Sequence, residues 1–175
     1  KFRARVSPAG GIKNHRNTKK ITPGSGGGGE NIDLTTATTE QIIEFFGKGA
    51  FGTTARANKV SSYDVMWVSD EIWANLAKPY VVNGVISGNV LQAVLPFAPV
   101  KEIRPTFALS GNEFIAYVRR RDVISPLVGM AQGVIALPRP LPNVNYNFQI
   151  MSAEGLQITA DDQGLSGVVY GANLA

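Results

Sequence analysis

The clearest patterning of apolar and polar positions lies in residues 62–79, SYDVMWVSDEIWANLAKP. Residues 63–68 form a short run rich in strand formers (Tyr63, Val65, Trp67, Val68), too brief for a helix of its own. Ser69 follows with an N-cap oxygen, and Asp70 and Glu71 place negative charge where the unpaired N–H groups of a first helical turn favour it. Ile72, Trp73 and Leu76 then recur at helical spacing until Pro79 forbids continuation. The pattern predicts a buried strand feeding a capped amphipathic helix, with Trp73 buried under the strand.

The remaining elements are organised around that unit. Thr38 with Gln41 three residues on makes a capping box, opening a helix with Ile42, Ile43, Phe46 and Ala50 on one side. Gly47, Gly49 and Gly52 weaken its second half, so the helix is expected to end near Gly52, with a polar connector over residues 53–62. Before it, residues 1–6 alternate basic and apolar as a strand would, residues 14–20 show no periodicity, and residues 24–29 are a glycine-rich stretch unable to pack. That stretch reads as a natural glycine loop or an inserted linker.

Beyond Pro79 the pattern turns to short strands. Asn83-Gly84 between Val81-Val82 and Val85-Ile86 predicts a tight hairpin. Residues 90–95 read as a strand stopped by Pro96. Residues 106–109 and 113–119 read as a second hairpin about Ser110-Gly111-Asn112. Pro126 and Gly129 interrupt the next apolar run, and Pro138, Pro140 and Pro142 make an extended crossing around Arg139. Residues 147–151 and 156–160 look like two strands, and residues 161–164 turn the chain into a last one, residues 167–170. Helix, strand, helix, then mostly β is an α+β layout.

The 175 residues suit one domain, or one and a fraction, with room for a core. The 17% charged content is light, as expected of a surface partly covered by partners. No cysteine is present, which excludes disulfides and thiolate metal sites. No apolar run approaches a bilayer span and no secretory pattern is visible, so no membrane partner is expected. The chain opens on Lys1 rather than Met, which fits a processed or shortened form. Charge is uneven: residues 1–20 carry seven basic side chains (Lys1, Arg3, Arg5, Lys13, Arg16, Lys19, Lys20) and no acid. The other ten basic residues stand against 13 acids, so the overall +4 belongs to the N-terminal segment. This basic arm suits nucleic acid, an acidic neighbouring subunit, or plain solvation.

Candidate chemistry is thin. His15 is the single histidine, with no acid or nucleophile nearby in sequence, and reads as an ordinary surface residue. Asp161 and Asp162 would face opposite ways on a strand, and Gly164 favours a turn there. Ser87 and Ser110 lie near glycines without a Gly-x-Ser-x-Gly elbow. Arg119, Arg120 and Arg121 form a cationic cluster at the end of a predicted strand, placing Arg119 and Arg121 on one face, suited to phosphate or to acids across a subunit boundary. No catalytic residue, cofactor site or metal site is assigned, and an enzyme is the least supported class.

From Thr38 to Ala172 the chain resembles the C-terminal part of tailed-phage major capsid proteins, whose Hong Kong-type capsid fold encapsulin shells share. The resemblance rests on the capped helix TTEQIIEFFGKGAFG, the strand–helix DVMWVSDEIWANL, the segment FALSGNEFIAYVRRRDV and the closing strands NYNFQIMSAEGLQITADDQGLSGVVYG. It implies a basic strand and glycine-rich segment over 1–37, an axial-type α+β domain over 38–145, and closing strands of a peripheral-type domain over 146–175. Residues 1–37 hold no candidate for the family's spine helix, and no lysine–asparagine cross-link pair is placed. The implied partners are identical subunits in pentamers and hexamers and non-specifically packaged double-stranded DNA, with the arginine cluster at an inter-subunit contact. The implied location is the virion, after assembly in the host cytoplasm. An encapsulin-like compartment shell is the near alternative, and a basic nucleic-acid-binding module the more distant one.

Overall fold

The structure is a computed structural model that describes residues 11–23, 32–82, 84–138, 145 and 147–172. The predicted strand at residues 1–6 with Lys1, Arg3 and Arg5, the glycine stretch, Asn83 of the first turn and the crossing at Arg139, Pro140 and Pro142 lie outside the described residues.

In chain order the elements are a 3₁₀ turn (Ile12–Asn14), β1 (Lys19–Ile21), α1 (Thr39–Gly47), α2 (Ala50–Ala57), β2 (Tyr63–Val68) and α3 (Asp70–Leu76). There follow β3 (Pro79–Val82), β4 (Val85–Asn89), α4 (Val90–Val94), β5 (Val100–Pro105), β6 (Phe114–Tyr117), β7 (Ile124–Ala136), β8 (Phe148–Ile158) and β9 (Val168–Gly171). Five strands make the central sheet in the order β1-β9-β6-β2-β5. β2 runs parallel to β5 and antiparallel to β6, while β9 runs antiparallel to β6 and parallel to β1. β3–β4 and β7–β8 are separate antiparallel hairpins.

The strand–helix unit at residues 62–79 forms as its pattern dictates. Ser69 accepts from Ile72 N at 3.2 Å, capping α3, and its hydroxyl donates to Gly111 O at 2.5 Å. Four of the six β2 residues are buried, because the strand is central in the sheet and helices cover it. Trp73 departs from expectation: α3 buries Ile72, Asn75 and Leu76, and the indole is only half-buried at the rim of the core. The apolar stripe lies one residue around the helix from where Trp73 would centre it. Asn75 replaces the indole in the interior, donating to Leu34 O at 3.0 Å and Ala37 O at 2.9 Å.

The capping box of α1 is present, with Thr38 N donating to Gln41 Oε1 at 2.9 Å. The expected single helix ending at Gly52 is instead two, and the expected polar connector is mostly α2. Glycine permits this by its lack of a side chain. A Cβ at Gly49 would lie 2.6 Å from Phe45 Cα, and one at Gly52 would lie 2.3 Å from Gly47 O. The glycines let α2 start against the end of α1 instead of dissolving the helix. The packing gathers Phe45, Phe46 and Phe51 with Phe114 and Tyr63, at centroid distances from 5.2 to 6.0 Å. Burial pushes the Tyr63 hydroxyl up to about 12, with Asn58 beside it pulling the other way. Their contact falls outside hydrogen-bond geometry, and both polar atoms are buried without a partner.

Four further expectations are corrected. Residues 90–95 form a helix: Asn89 and Gln92 make a capping box, and Val90 and Val94, four apart, share the buried face. Residues 106–109 are a loop rather than a hairpin arm, since β6 pairs with β2 and β9 while β5 takes the edge beside β2. β7 runs through Pro126 and Gly129, with register shifts between Val128 and Met130 and again before Gly133. A two-stranded ladder has only edge strands, where a missing N–H is tolerated. β8 is one strand, not two, continuing through Ala153, Glu154 and Gly155. The 161–164 turn forms as expected, closed by Gly164 N to Asp161 O at 2.9 Å with Gly164 at φ 75°. By hydrogen bonding β9 belongs to the central sheet, and β8 pairs with β7 across the expected division at residue 146.

Candidate assembly surface

The β7–β8 hairpin is the most conspicuous surface. At about 3.3 Å per residue, the 13 residues of β7 extend about 40 Å. Cross-strand register pairs Val134 with Ile150 and Ala136 with Phe148, so Val134, Ile150 and Phe148 share one face. Val134, Ile150 and Phe148 are each more than 60% exposed, and Ile135 and Met151 on the opposite face are also exposed. Among its described residues Glu154 is the one charged side chain. An apolar hairpin with a single charge among its described residues and two open edges is a template for pairing with another chain, and monomeric proteins rarely leave one exposed.

The root of the hairpin is built from segments the sequence flagged for charge. Arg120 O accepts from Val123 N at 3.0 Å and Ile124 N at 2.9 Å, and Thr159 N closes onto Val123 O at 3.0 Å. Gly167 fits beneath, where a Cβ would meet Val123 Cγ1 at 2.7 Å. Arg119, Arg120 and Arg121 therefore lie in the coil and turn between β6 and β7, not on a strand, and the expected sharing of a strand face by Arg119 and Arg121 does not occur. All three are exposed. Arg120 pairs with Asp122 at 2.7 Å, whereas Glu102 is taken by Arg104 and Glu113 by Lys13. Arg119 contributes its backbone N–H to Asp64 Oδ2 at 2.8 Å. Asp64 is held below its ordinary value, first by its hydrogen bond from Lys101 and then by this one.

The described part of the basic segment is attached to the body. Lys13 Nζ meets Glu113 at 2.6 Å and stands 5.5 Å over the Tyr170 ring. Tyr170 Oη donates to the same carboxylate at 2.6 Å. Burial opposes ionisation of Glu113, but the bonds from Lys13, Tyr170 and Ser110 N–H outweigh it and hold the carboxyl below its usual range. Burial and the Glu113 contact together push Tyr170 upward. His15, half-buried, accepts from Asn17 N through Nδ1 at 3.1 Å, and Asn17 Nδ2 reaches Ile158 O at the hairpin root at 2.7 Å. Lys19 and Lys20 are exposed on β1, which the apparent aperiodicity of residues 14–20 concealed, and Arg16 is exposed beside them. Pairing between β1 and β9 is a long-range event with no local signature.

Among the described residues no group of three or more His, Cys, Asp or Glu side chains gathers as metal ligands, and no helix is long and apolar enough to cross a membrane.

Solved structures share this architecture, a phage capsid and a virus-like particle among them. The capsid of Myoviridae phage XM1 matches with a TM-score of 0.64 at 15% identity, over 94% of this chain and 53% of that one. The virus-like particle from Pyrococcus furiosus matches with a TM-score of 0.55 at 15% identity, over 92% of this chain and 58% of that one. The chain thus has the α+β Hong Kong-type capsid fold, while spanning little more than half the length of either protein. No curated protein matches it. The family model that matches residues 3–171 is described as a family of unknown function, DUF6260, and the chain belongs to that family.

Proposed function

We propose that the chain is a structural shell subunit, a capsid protein that self-assembles with identical copies into pentamers and hexamers of an icosahedral particle, rather than an enzyme. The carrying observation is the exposed apolar β7–β8 hairpin on a capsid-type fold, a surface that identical neighbours would cover. The virion is the proposed location, with assembly in the host cytoplasm. The exposed Arg16, Lys19 and Lys20 are suited to non-specific contact with packaged double-stranded DNA through its phosphates.

Negative-stain electron microscopy and light scattering of the purified protein test the reading. Uniform shells or capsomer rings are expected, and Val134→Glu with Ile150→Glu should leave the circular dichroism spectrum unchanged while abolishing them. A chain that stays monomeric at micromolar concentration across salt and pH refutes it. Protein cargo in place of DNA inside the particles would assign them to a cellular compartment instead.

A further inference from the structure

Phe107 is the most exposed large apolar side chain in the described structure, at 92%. It stands on the loop after β5, where Thr106 Oγ1 accepts from Ala108 N at 3.2 Å. The loop is held at both ends. Thr106 N donates to Val68 O at 2.9 Å, and Gly111 is fixed by the Ser69 hydroxyl and the Glu71 carboxylate. The next residue, Asn112, is buried and bonds Leu34 N and Ile32 O at 3.0 and 2.9 Å. A phenyl ring on so braced a loop exposes apolar area without gain to this subunit.

At the other end of the same strands lies a cleft. Phe46, Gly47, Gly52, Arg56, Phe97 and Pro99 are among the residues that line it, and Arg56 donates to Gly47 O at 2.8 Å. The cleft is open to solvent and part polar, with a volume of about 230 Å³, space on the scale of the roughly 150 Å³ that holds a benzene ring in an enclosed cavity. Phe97 is itself 60% exposed, so an incoming ring would cover one bare aromatic with another. Arg56 offers such a ring a cation–π partner.

β2 and β5 are parallel. Phe107 follows their C-terminal ends, and Ser61 and Pro99 of the cleft precede their N-terminal ends. Six residues of strand, about 20 Å, separate the two features. The charges around them are complementary. Asp33, Asp70 and Glu71 are exposed around the Phe107 loop, and Lys48, Arg56 and Lys59 are exposed around the cleft. Acids at the cleft end are Glu44 on α1, Asp64 near the start of β2, which Lys101 holds at 2.5 Å, and Asp161 and Asp162 in the turn leading to β9, where Lys59 Nζ donates to the neighbouring Gln163 Oε1 at 3.3 Å. Cations at the loop end are Lys13, paired with Glu113, and Arg104, paired with Glu102.

We infer that Phe107 of one copy inserts into the cleft between α1, α2 and the Phe97–Pro99 segment of the next copy, a head-to-tail contact. A contact that joins opposite ends of a subunit is heterologous: it propagates rather than stopping at a dimer, and closes into a ring where the rotation between copies permits. The inference rests on the shell-subunit reading and names the contact that would build its rings.

The test uses two variants of the full chain. Phe107→Ala removes the exposed ring. Gly47→Leu fills the cleft from a position where a Cβ meets nothing within 4 Å. Thermal melts should match wild type for Phe107→Ala, which alone suffices if Gly47→Leu melts lower. Each variant should need at least ~10-fold more protein to assemble, as loss of a central aromatic anchor implies. Mixed together, they should form a one-to-one dimer, since one retains the ring and the other retains the cleft. A Phe107→Ala protein that assembles at the wild-type concentration overturns the inference and leaves the shell reading standing. A mixture of two folded variants that yields no dimer overturns the head-to-tail pairing, and a wild-type chain that never assembles overturns both readings.

Discussion

Gly52→Ala is a one-methyl probe of the junction between α1 and α2. The new Cβ would stand 2.3 Å from Gly47 O and 2.4 Å from Phe46 O. A carbon–oxygen contact settles at about 3.3 Å, so the end of α1 must retreat by about 1 Å. Both obstacles are backbone, and a methyl has no alternative rotamer. Over-packing of this kind costs ~1–3 kcal/mol, and the absence of relief puts Gly52 near the top of that range. Replacing glycine by alanine inside a helix returns ~0.5–1 kcal/mol, leaving a net loss of about 2 kcal/mol. Gly47→Ala is the internal control. Its Cβ meets nothing, so the backbone effect stands alone and the variant should gain ~0.5 kcal/mol. Urea melts followed by circular dichroism measure both, with equal m-values licensing the comparison. Changes of the same sign, or a Gly52→Ala protein within ~0.5 kcal/mol of wild type, would refute the close-packed junction between α1 and α2.

Trp73→Ala should destabilise by ~1–2 kcal/mol, short of the ~3–5 kcal/mol of a fully buried aromatic, whereas Leu76→Ala in the core should cost ~2–5 kcal/mol; denaturant melts rank the two. Arg119→Glu with Arg121→Glu should leave folding within ~0.5 kcal/mol, because both side chains are exposed, yet block assembly or make it strongly salt-dependent. Normal shells from that double variant, seen by electron microscopy, would show that the arginines do not hold an interface. Glu113 has its carboxyl pKa depressed below the ordinary 4.5, so its contribution is complete above that value and is lost as pH falls through the lower, folded one. Hydrogen exchange in residues 11–23 should therefore accelerate as pH drops below about 4.5 relative to the intrinsic rate, and Glu113→Gln should remove that step.

Local chemistry settled much of this chain in advance. Ser69 and the acids after it start α3, Thr38 and Gln41 start α1, and Asp161 with Gly164 makes the last turn, because capping and turn geometry need only residues a few positions apart. The α+β class followed from the order of such signals. The capping pair Asn89 and Gln92 was equally legible, but the valines around it outweighed it in a strand reading. Other features depended on partners far along the chain. The glycines of residues 47–52 look like helix breakers until α2 is seen folded back onto α1. Trp73 yields the interior to Asn75 because the carbonyls of Leu34 and Ala37 arrive there from 41 and 38 residues away. The β1–β9 pairing and the capture of Lys13 by Glu113 join segments 100 residues apart or more. Tertiary structure likewise brings Ser61 and Pro99 together at one end of a strand pair and leaves Phe107 at the other, because β5 packs parallel to β2. Sequence fixes what each short stretch prefers, whereas which surfaces remain bare is decided by everything that packs around them.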